Sequence, residues 1–346
     1  MRPLTMRPLT VRTASVRKLT VGAVAAGLVL TGCGTTAEGG SASDGGSESD
    51  GPISGLRLMI PNSPGSGYDT TGREVAKVLE GEKVAESIEV FNLEGAGGTV
   101  GLQRLVNEKG NAEMLMQMGL GVVGAQFSNQ SEATLDQTTP VAKLIEEAEA
   151  IVVLADSPYQ SLDDLVTGWK ADPGNTPVGG ASNPGGPDHL TPMLLAQEVG
   201  VTPTDVNYVA YDGGGELLAG ILGGDVKFAA TGVGEVTESA AAGDVRILAV
   251  TSEEAVEGVD APTLTDEGVD LVFANWRGIV APPGLKDADT KKWVDAITEM
   301  HDSDGWKKAL EENGWTDAFI PGDEFSTFLS DETERVEAVM SELGLV

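Results

Sequence analysis

The chain is poor in the side chains that most often carry chemistry. Cysteine occurs once in its 346 residues, at Cys33, so neither a disulfide framework nor a cysteine metal site can form within one chain. Histidine occurs twice, at His189 and His301, which excludes a histidine-rich zinc site. No Gly-x-Ser-x-Gly elbow and no metal-ligand spacing is present, which weakens any reading as an enzyme, and no metal or cofactor is expected. Positive charge is also scarce. Lys and Arg total 22 against 54 Asp and Glu, a formal net charge of −32. Nucleic acid is bound by clustered Lys and Arg, so it is a poor partner for this surface and none is expected. The same acidity poses a problem for any anionic ligand, which must find a local positive field on a negative molecule.

What the chain does have is length, apolar content and glycine. A 40% hydrophobic chain of this size supports more than one core, so two lobes are expected. The first twenty residues carry Arg2, Arg7, Arg12, Arg17 and Lys18 and no acid. An apolar run from Leu19 to Leu30 follows, of a length that suits a signal peptide and is short for a membrane span. It ends in Leu30-Thr31-Gly32-Cys33, which resembles a bacterial lipobox. The expectation is a signal peptide over 1–32, lipid on Cys33, and a membrane anchor from outside the cell. The repeated Met-Arg-Pro-Leu-Thr at 1–5 and 6–10 allows a start at Met1 or at Met6. From Gly34 the chain is Gly, Ser, Thr, Asp and Glu with almost no apolar residue, so 33–54 reads as the lipidated cysteine and a flexible tether.

The remainder repeats one local pattern, a short apolar strand running into a glycine loop and then a helix. The first strand, Leu56 to Ile60, enters Pro61-Asn62-Ser63-Pro64-Gly65-Ser66-Gly67-Tyr68-Asp69, and a helix follows with Val75, Val78 and Leu79 on one face. The second, Ser87 to Glu94, enters Gly95-Ala96-Gly97-Gly98, with Leu102, Leu105 and Val106 beyond. It lacks the third glycine of a dinucleotide fingerprint, since position 100 is Val. The third loop is Ala181 to Asp188 and the fourth is Asp212-Gly213-Gly214-Gly215 after the strand Val206 to Tyr211. Helix N-termini present unpaired N–H groups and partial positive charge, so such loops can hold an anion without a lysine. Further strands are expected at Met114–Met118, Ala150–Ala155, Asp225–Ala230, Val245–Val250 and Val272–Ala281, and helices over 290–300, 305–313 and 323–343. The methionines at 114, 116 and 118, and Trp306 and Trp315, read as core. Arg277 lies in an apolar strand and has two readings, an ion pair with an acid of the fold or a clamp on a ligand carboxylate.

Together these residues resemble the substrate-binding proteins of tripartite tricarboxylate transporters, the TctC or Bug family. The motifs are Pro61 to Arg73, Gly95-Ala96-Gly97-Gly98-x-x-Gly101, Tyr211-x-Gly213-Gly214, Gly223-Gly224-Asp225-Val226, Leu248 to Thr251 and Trp276-x-Gly278. Ser66 and Gly72 depart from the residues common in the family, and Asn183 to Asp188 is an unusual third loop with two prolines. The resemblance implies an α/β, two-lobe class II periplasmic-binding-protein fold with a hinged ligand cleft. Lobe one would comprise 55–155 plus 275–346, and lobe two 156–274. It implies a monomeric extracytoplasmic receptor that delivers a small carboxylate, a citrate-like tricarboxylate or a dicarboxylate, to a two-subunit membrane permease. In the first loop the implied ligand contacts are Ser63, Gly65, Ser66, Gly67, Tyr68 and Asp69, the last of these more as a cap than as a contact. In the third they are Ser182, Asn183, Gly185, Gly186 and His189. Tyr211, Asp212 and Thr231 would line the cleft, and Arg277 would favour a di- or tricarboxylate. A receptor that reports to a sensor kinase is the alternative, and a secreted enzyme is the weaker one.

Overall fold

A computed structural model of the protein describes residues 52–346. The expected signal peptide, Cys33 and all but the last residues of the expected tether lie outside the described residues. Folded structure begins slightly before the expected boundary at Gly55, because β1 (Ile53–Ser54) already pairs in parallel with β3 (Ala85–Glu86).

Between them run β2 (Arg57–Ile60) and α1 (Gly67–Gly81), and then follow β4 (Glu89–Asn92), α2 (Thr99–Asn107), β5 (Met114–Gly119) and α3 (Leu120–Ser128). The long β6 (Thr139–Leu154) leads to α4 (Leu162–Ala171), β7 (Val178–Gly180), α5 (Pro187–Val199), β8 (Tyr208–Ala210) and α6 (Gly214–Gly223). Next come β9 (Phe228–Gly232), α7 (Val233–Ala242), β10 (Val245–Val250) and β11 (Ala274–Ala281). The chain closes with α8 (Asp287–Asp302), α9 (Asp304–Asn313), β12 (Thr316–Pro321) and α10 (Gly322–Glu342).

Ten strands form one curled sheet, and β6 is its spine. The sheet runs β4-β2-β5-β11-β6-β9-β7-β8, with β10 and β12 also paired to β6. The first part of β6 pairs with β11 and β12, from Ala281 opposite Thr139 to Ala274 opposite Ala148. Its last part pairs with β9 and β10, from Glu149 opposite Gly232 to Leu154 opposite Val245. One strand thus serves two half-sheets, each with its own βα units. Only the end of this strand was expected, at Ala150–Ala155. The run Ala150–Val153 is buried and β-branched because strands flank it on both sides. The earlier part carries Lys143, Glu146, Glu147 and Glu149, and these charges hide it from a search for apolar runs. The short helix α3 and strand β12 were also not anticipated.

The chain crosses between the half-sheets a second time through residues 251–273, and Thr251 ties the two crossings. Its amide donates to the Glu149 carbonyl at 2.9 Å, and its hydroxyl accepts from the Glu149 amide at 2.9 Å. The same hydroxyl donates to the Phe273 carbonyl at 2.6 Å. The core does not divide in the same way. The larger cluster spans both half-sheets, from Leu58, Met116, Ile145 and Trp293 to Trp169, Val178 and Phe228, and a smaller one packs Leu217, Ile221 and Val236 against Ala150, Val152 and Ala229. The methionines of β5 and both expected tryptophans are buried.

Candidate functional site

All four glycine loops meet at one cavity of about 250 Å³. Loops one and two follow strands of the first half-sheet, and loops three and four follow strands of the second. Each ends at a helix N-terminus, those of α1, α2, α5 and α6. The four partial positive charges of these helix ends therefore bear on one space. Ser63 and Asp212 join loops one and four, the Ser63 hydroxyl donating to the Asp212 carbonyl at 2.9 Å.

Loops one and three are built alike. Each has a Pro-Gly pair, Pro64-Gly65 and Pro184-Gly185, with the glycine at φ +82° and +91°. Such a backbone conformation is strained for residues with a Cβ. In each the glycine amide donates to the side chain four residues on: Gly65 to Asp69 Oδ2 at 2.9 Å, and Gly185 to His189 Nδ1 at 3.1 Å. Asp69 is further held by Arg73 Nε and Asn92 Nδ2, each at 2.9 Å. Burial alone would raise its carboxyl, but the bonds from Arg73, Gly65 and Asn92 outweigh that and keep it below the ordinary carboxylate value. Asp188 gathers loop three in a similar way, accepting from the Ala181 amide and the Ser182 hydroxyl at 2.7 Å each.

The expected contacts therefore divide. Ser63, Ser66, Gly67, Tyr68, Ser182, Asn183, Gly186, Tyr211, Asp212 and Arg277 line the cavity. Gly65, Asp69, Gly185, His189 and Thr231 do not appear in its walls; they shape the loops instead. His189 is buried with its ring edge-on to Tyr208 at 4.7 Å, and burial pushes its pKa down to about 4, so it is neutral near pH 7. Thr231 is buried and donates to Glu235 Oε2 at 2.8 Å.

Both readings of Arg277 find a counterpart in its geometry. The guanidinium is ion-paired with Glu147 Oε2 at 2.5 Å and bonded to Thr71 Oγ1 at 3.2 Å. It also lines the cavity, packed against Gly67, where a Cβ would collide with it. Its Nε is buried and has no partner.

Sequence comparison says to which family this arrangement belongs. Residues 72–345 match the tripartite tricarboxylate transporter family receptor, TctC. The chain belongs to this family. Among its relatives is the BugT protein of Bordetella pertussis, 25% identical over 300 residues, covering 85% of this chain and 90% of that protein. Among solved structures, the periplasmic binding protein BugD matches with a TM-score of 0.76 at 18% identity, over 85% of this chain and 99% of that one. MatC from Rhodopseudomonas palustris, solved with bound malate, matches with a TM-score of 0.72 at 22% identity, over 83% and 99%. The expected periplasmic-binding-protein fold is thereby established.

Sequence reasoning missed several polar residues of this TctC-family receptor. Glu235, from the first turn of α7, and Asn275, from β11, line the cavity, while Glu147 and Glu149 of β6 are buried and do not line it. Glu149 is fully buried with neither carboxylate oxygen bonded. Burial, reinforced by Asp188 and Glu147, pushes its pKa well above the ordinary value. Burial and the same two neighbours push the Glu235 carboxyl up to about 7. The available signal was positional. Glu235 directly follows the glycine turn Gly232-Val233-Gly234, and Asn275 precedes the Trp-Arg-Gly motif. Nothing in their spacing says that sheet pairing brings them together.

Proposed function

We propose that this protein is an extracytoplasmic receptor that captures a small carboxylate between its two lobes and delivers it to a two-subunit transporter permease. The convergence of four glycine loops from two half-sheets on one small cavity carries this reading. Helix N-termini supply positive potential there, and the buried, unpartnered Nε–H of Arg277 is a donor awaiting an acceptor. Family membership supports transport as the role, and the malate held by MatC supports a dicarboxylate as the first ligand class to test. In this reading Ser63, Ser66 and Gly67 hold the ligand from lobe one, and Ser182, Asn183 and Gly186 from lobe two. Lobe one is 55–155 plus 275–346 and lobe two 156–274, except that the last part of β6, Glu149–Leu154, pairs into the sheet of lobe two. Ligand closes the lobes about the crossings at Glu149 and Thr251. Cys33 carries the lipid that keeps the receptor near the permease, and 33–54 comprises that cysteine and the tether.

Thermal unfolding against a carboxylate panel, with nucleotides as controls, tests the reading. Ligand at about a hundred times its Kd stabilises the native state by about 2.7 kcal/mol. A rise in Tm with one or more carboxylates, without turnover, is expected. No rise with any carboxylate, or a rise with nucleotide alone, would overturn the assignment.

A further inference from the structure

The side chains around the cavity have the opposite sign to its helix ends. Glu94, Asp188, Asp212 and Glu235 line it, against the single cation Arg277, whose charge Glu147 already offsets. A ligand bearing only carboxylates gains from the four helix N-termini but meets these acids wherever it reaches past the loops. Two unpartnered groups sharpen the contrast. Arg277 Nε is a buried donor without an acceptor, and Asn275 Oδ1 is a buried acceptor without a donor. Asn275 is 6% exposed and Arg277 3% exposed, both line the cavity, and both lie on β11 two residues apart, hence on one face of the strand. Glu235 stands in the same wall, packed against Gly214 of loop four, so that a Cβ on Gly214 would collide with its carboxylate. One cavity thus presents donors, the loop amides and Arg277, and acceptors, Glu235 and Asn275 Oδ1.

We propose that Glu235 is a specificity-determining residue that receives a cationic nitrogen, so that the ligand is an amino carboxylate rather than a plain di- or tricarboxylate. This rests on the carboxylate-receptor reading and narrows it. The carboxylate lies at the loop amides and Arg277, and the ammonium donates to Glu235 and Asn275 Oδ1. A polycarboxylate such as citrate would place added negative charge against Glu235 with no lysine or free arginine to offset it. The ionic environment of Glu235 gives a second signature. Glu147 and Glu149 face it from β6, Asp188 from α5 and Arg277 from β11, and the Thr231 hydroxyl bonds it. Burial and the acids hold part of the Glu235 population protonated near pH 7. An ammonium requires the ionised form, so binding releases a proton and affinity falls as pH drops below about 7. A carboxylate received by a protonated Glu235 would show the reverse, proton uptake and tighter binding at low pH.

The experiment is calorimetric titration of the full chain with matched ligands: aspartate, malate and succinate, then glutamate and glutarate. Charge-assisted hydrogen bonds of about 1.5–3 kcal/mol correspond to roughly tenfold to a hundredfold in affinity. Wild type is expected to bind the amino member of each set at least tenfold more tightly. Glu235→Gln is expected to lose most of that preference while keeping or gaining affinity for succinate. Titration in buffers of different protonation enthalpy is expected to show proton release with the amino ligands, which needs no variant. Carboxylate binding without amine preference, an unchanged preference in Glu235→Gln, or proton uptake overturns this proposal and leaves the receptor reading standing. Failure of every carboxylate to bind overturns both.

Discussion

The Ser63 hydroxyl donates to the carbonyl of Asp212 at 2.9 Å, across the mouth of the cavity and across the boundary between the half-sheets. It is a direct bond between loops one and four, and under the proposed closure it forms only in the closed state. An uncharged bond of this kind contributes about 0.5–1.5 kcal/mol. Ser63→Ala is therefore expected to weaken ligand binding by about twofold to tenfold, through faster release, with Tm of the ligand-free protein unchanged. Stopped-flow dissociation rates check this. An unchanged rate would mean that the bond plays no part in holding the closed form.

A second closure contact involves backbone alone. Gly124 of α3 lies so close to Gly185 of loop three that a Cβ on Gly124 would collide with the Gly185 carbonyl. Gly124→Ala is expected to hold the halves apart and cost tenfold or more in affinity. In the proposed open form the collision is relieved, so the ligand-free protein is expected to keep its fold. Small-angle scattering with and without ligand reads the result directly, since wild type should compact and the variant should not.

The Arg277–Glu147 pair is buried on both sides, with side chains 4% and 3% exposed. Removing one partner leaves the other charge uncompensated, which costs about 3–5 kcal/mol. Arg277→Ala is expected to destabilise the ligand-free protein by that order. Replacing both residues together with methionine should recover much of the loss, and recovered stability without recovered ligand binding would separate the two roles of Arg277. Denaturant unfolding of the single and double variants makes the comparison.

Glu149 sets a pH dependence of known sign. In the unfolded chain its carboxyl titrates near 4.3, while in the folded chain burial holds it well above that. The folded state binds the extra proton, so stability is present at low pH and is lost as pH rises from the unfolded value toward the folded one. The slope in that window is about 1.4 kcal/mol per pH unit. Glu149→Gln removes this term. The variant is expected to melt above wild type at pH 8, with the gap closing toward pH 4. Parallel melting curves across that range would show the opposite ordering if Glu149 were held ionised in the folded state.

Local order was written in the chain. Val75, Val78 and Leu79 announce α1 by their spacing, and four glycine turns mark where backbone must bend sharply. The cap, however, is Ser66, whose hydroxyl accepts from the Asp69 amide, and not the expected Asp69, whose carboxylate holds Gly65 of the loop. The family resemblance rested on those same turns. The long β6 was only half legible, because a strand that changes partners midway loses any single hydrophobic period. His189 shows the limit on the site. Its place in the first turn of α5 is evident from sequence, but whether the ring turns to the cavity or back onto Gly185 is decided by the packing of Tyr208 against it.

The sequence by itself determined the strand-loop-helix units, the scarcity of cations and the anion-ready helix ends, because each depends on residues near one another in the chain. Only the tertiary structure decided which side chains share the cavity. Asn275 and Arg277 of β11 and Glu235 of α7 line it together, and the pairing of β11 with β6 sets Arg277 against Glu147. Charges brought together in this way alter one another's protonation and partners through space, and no pattern along the chain records it.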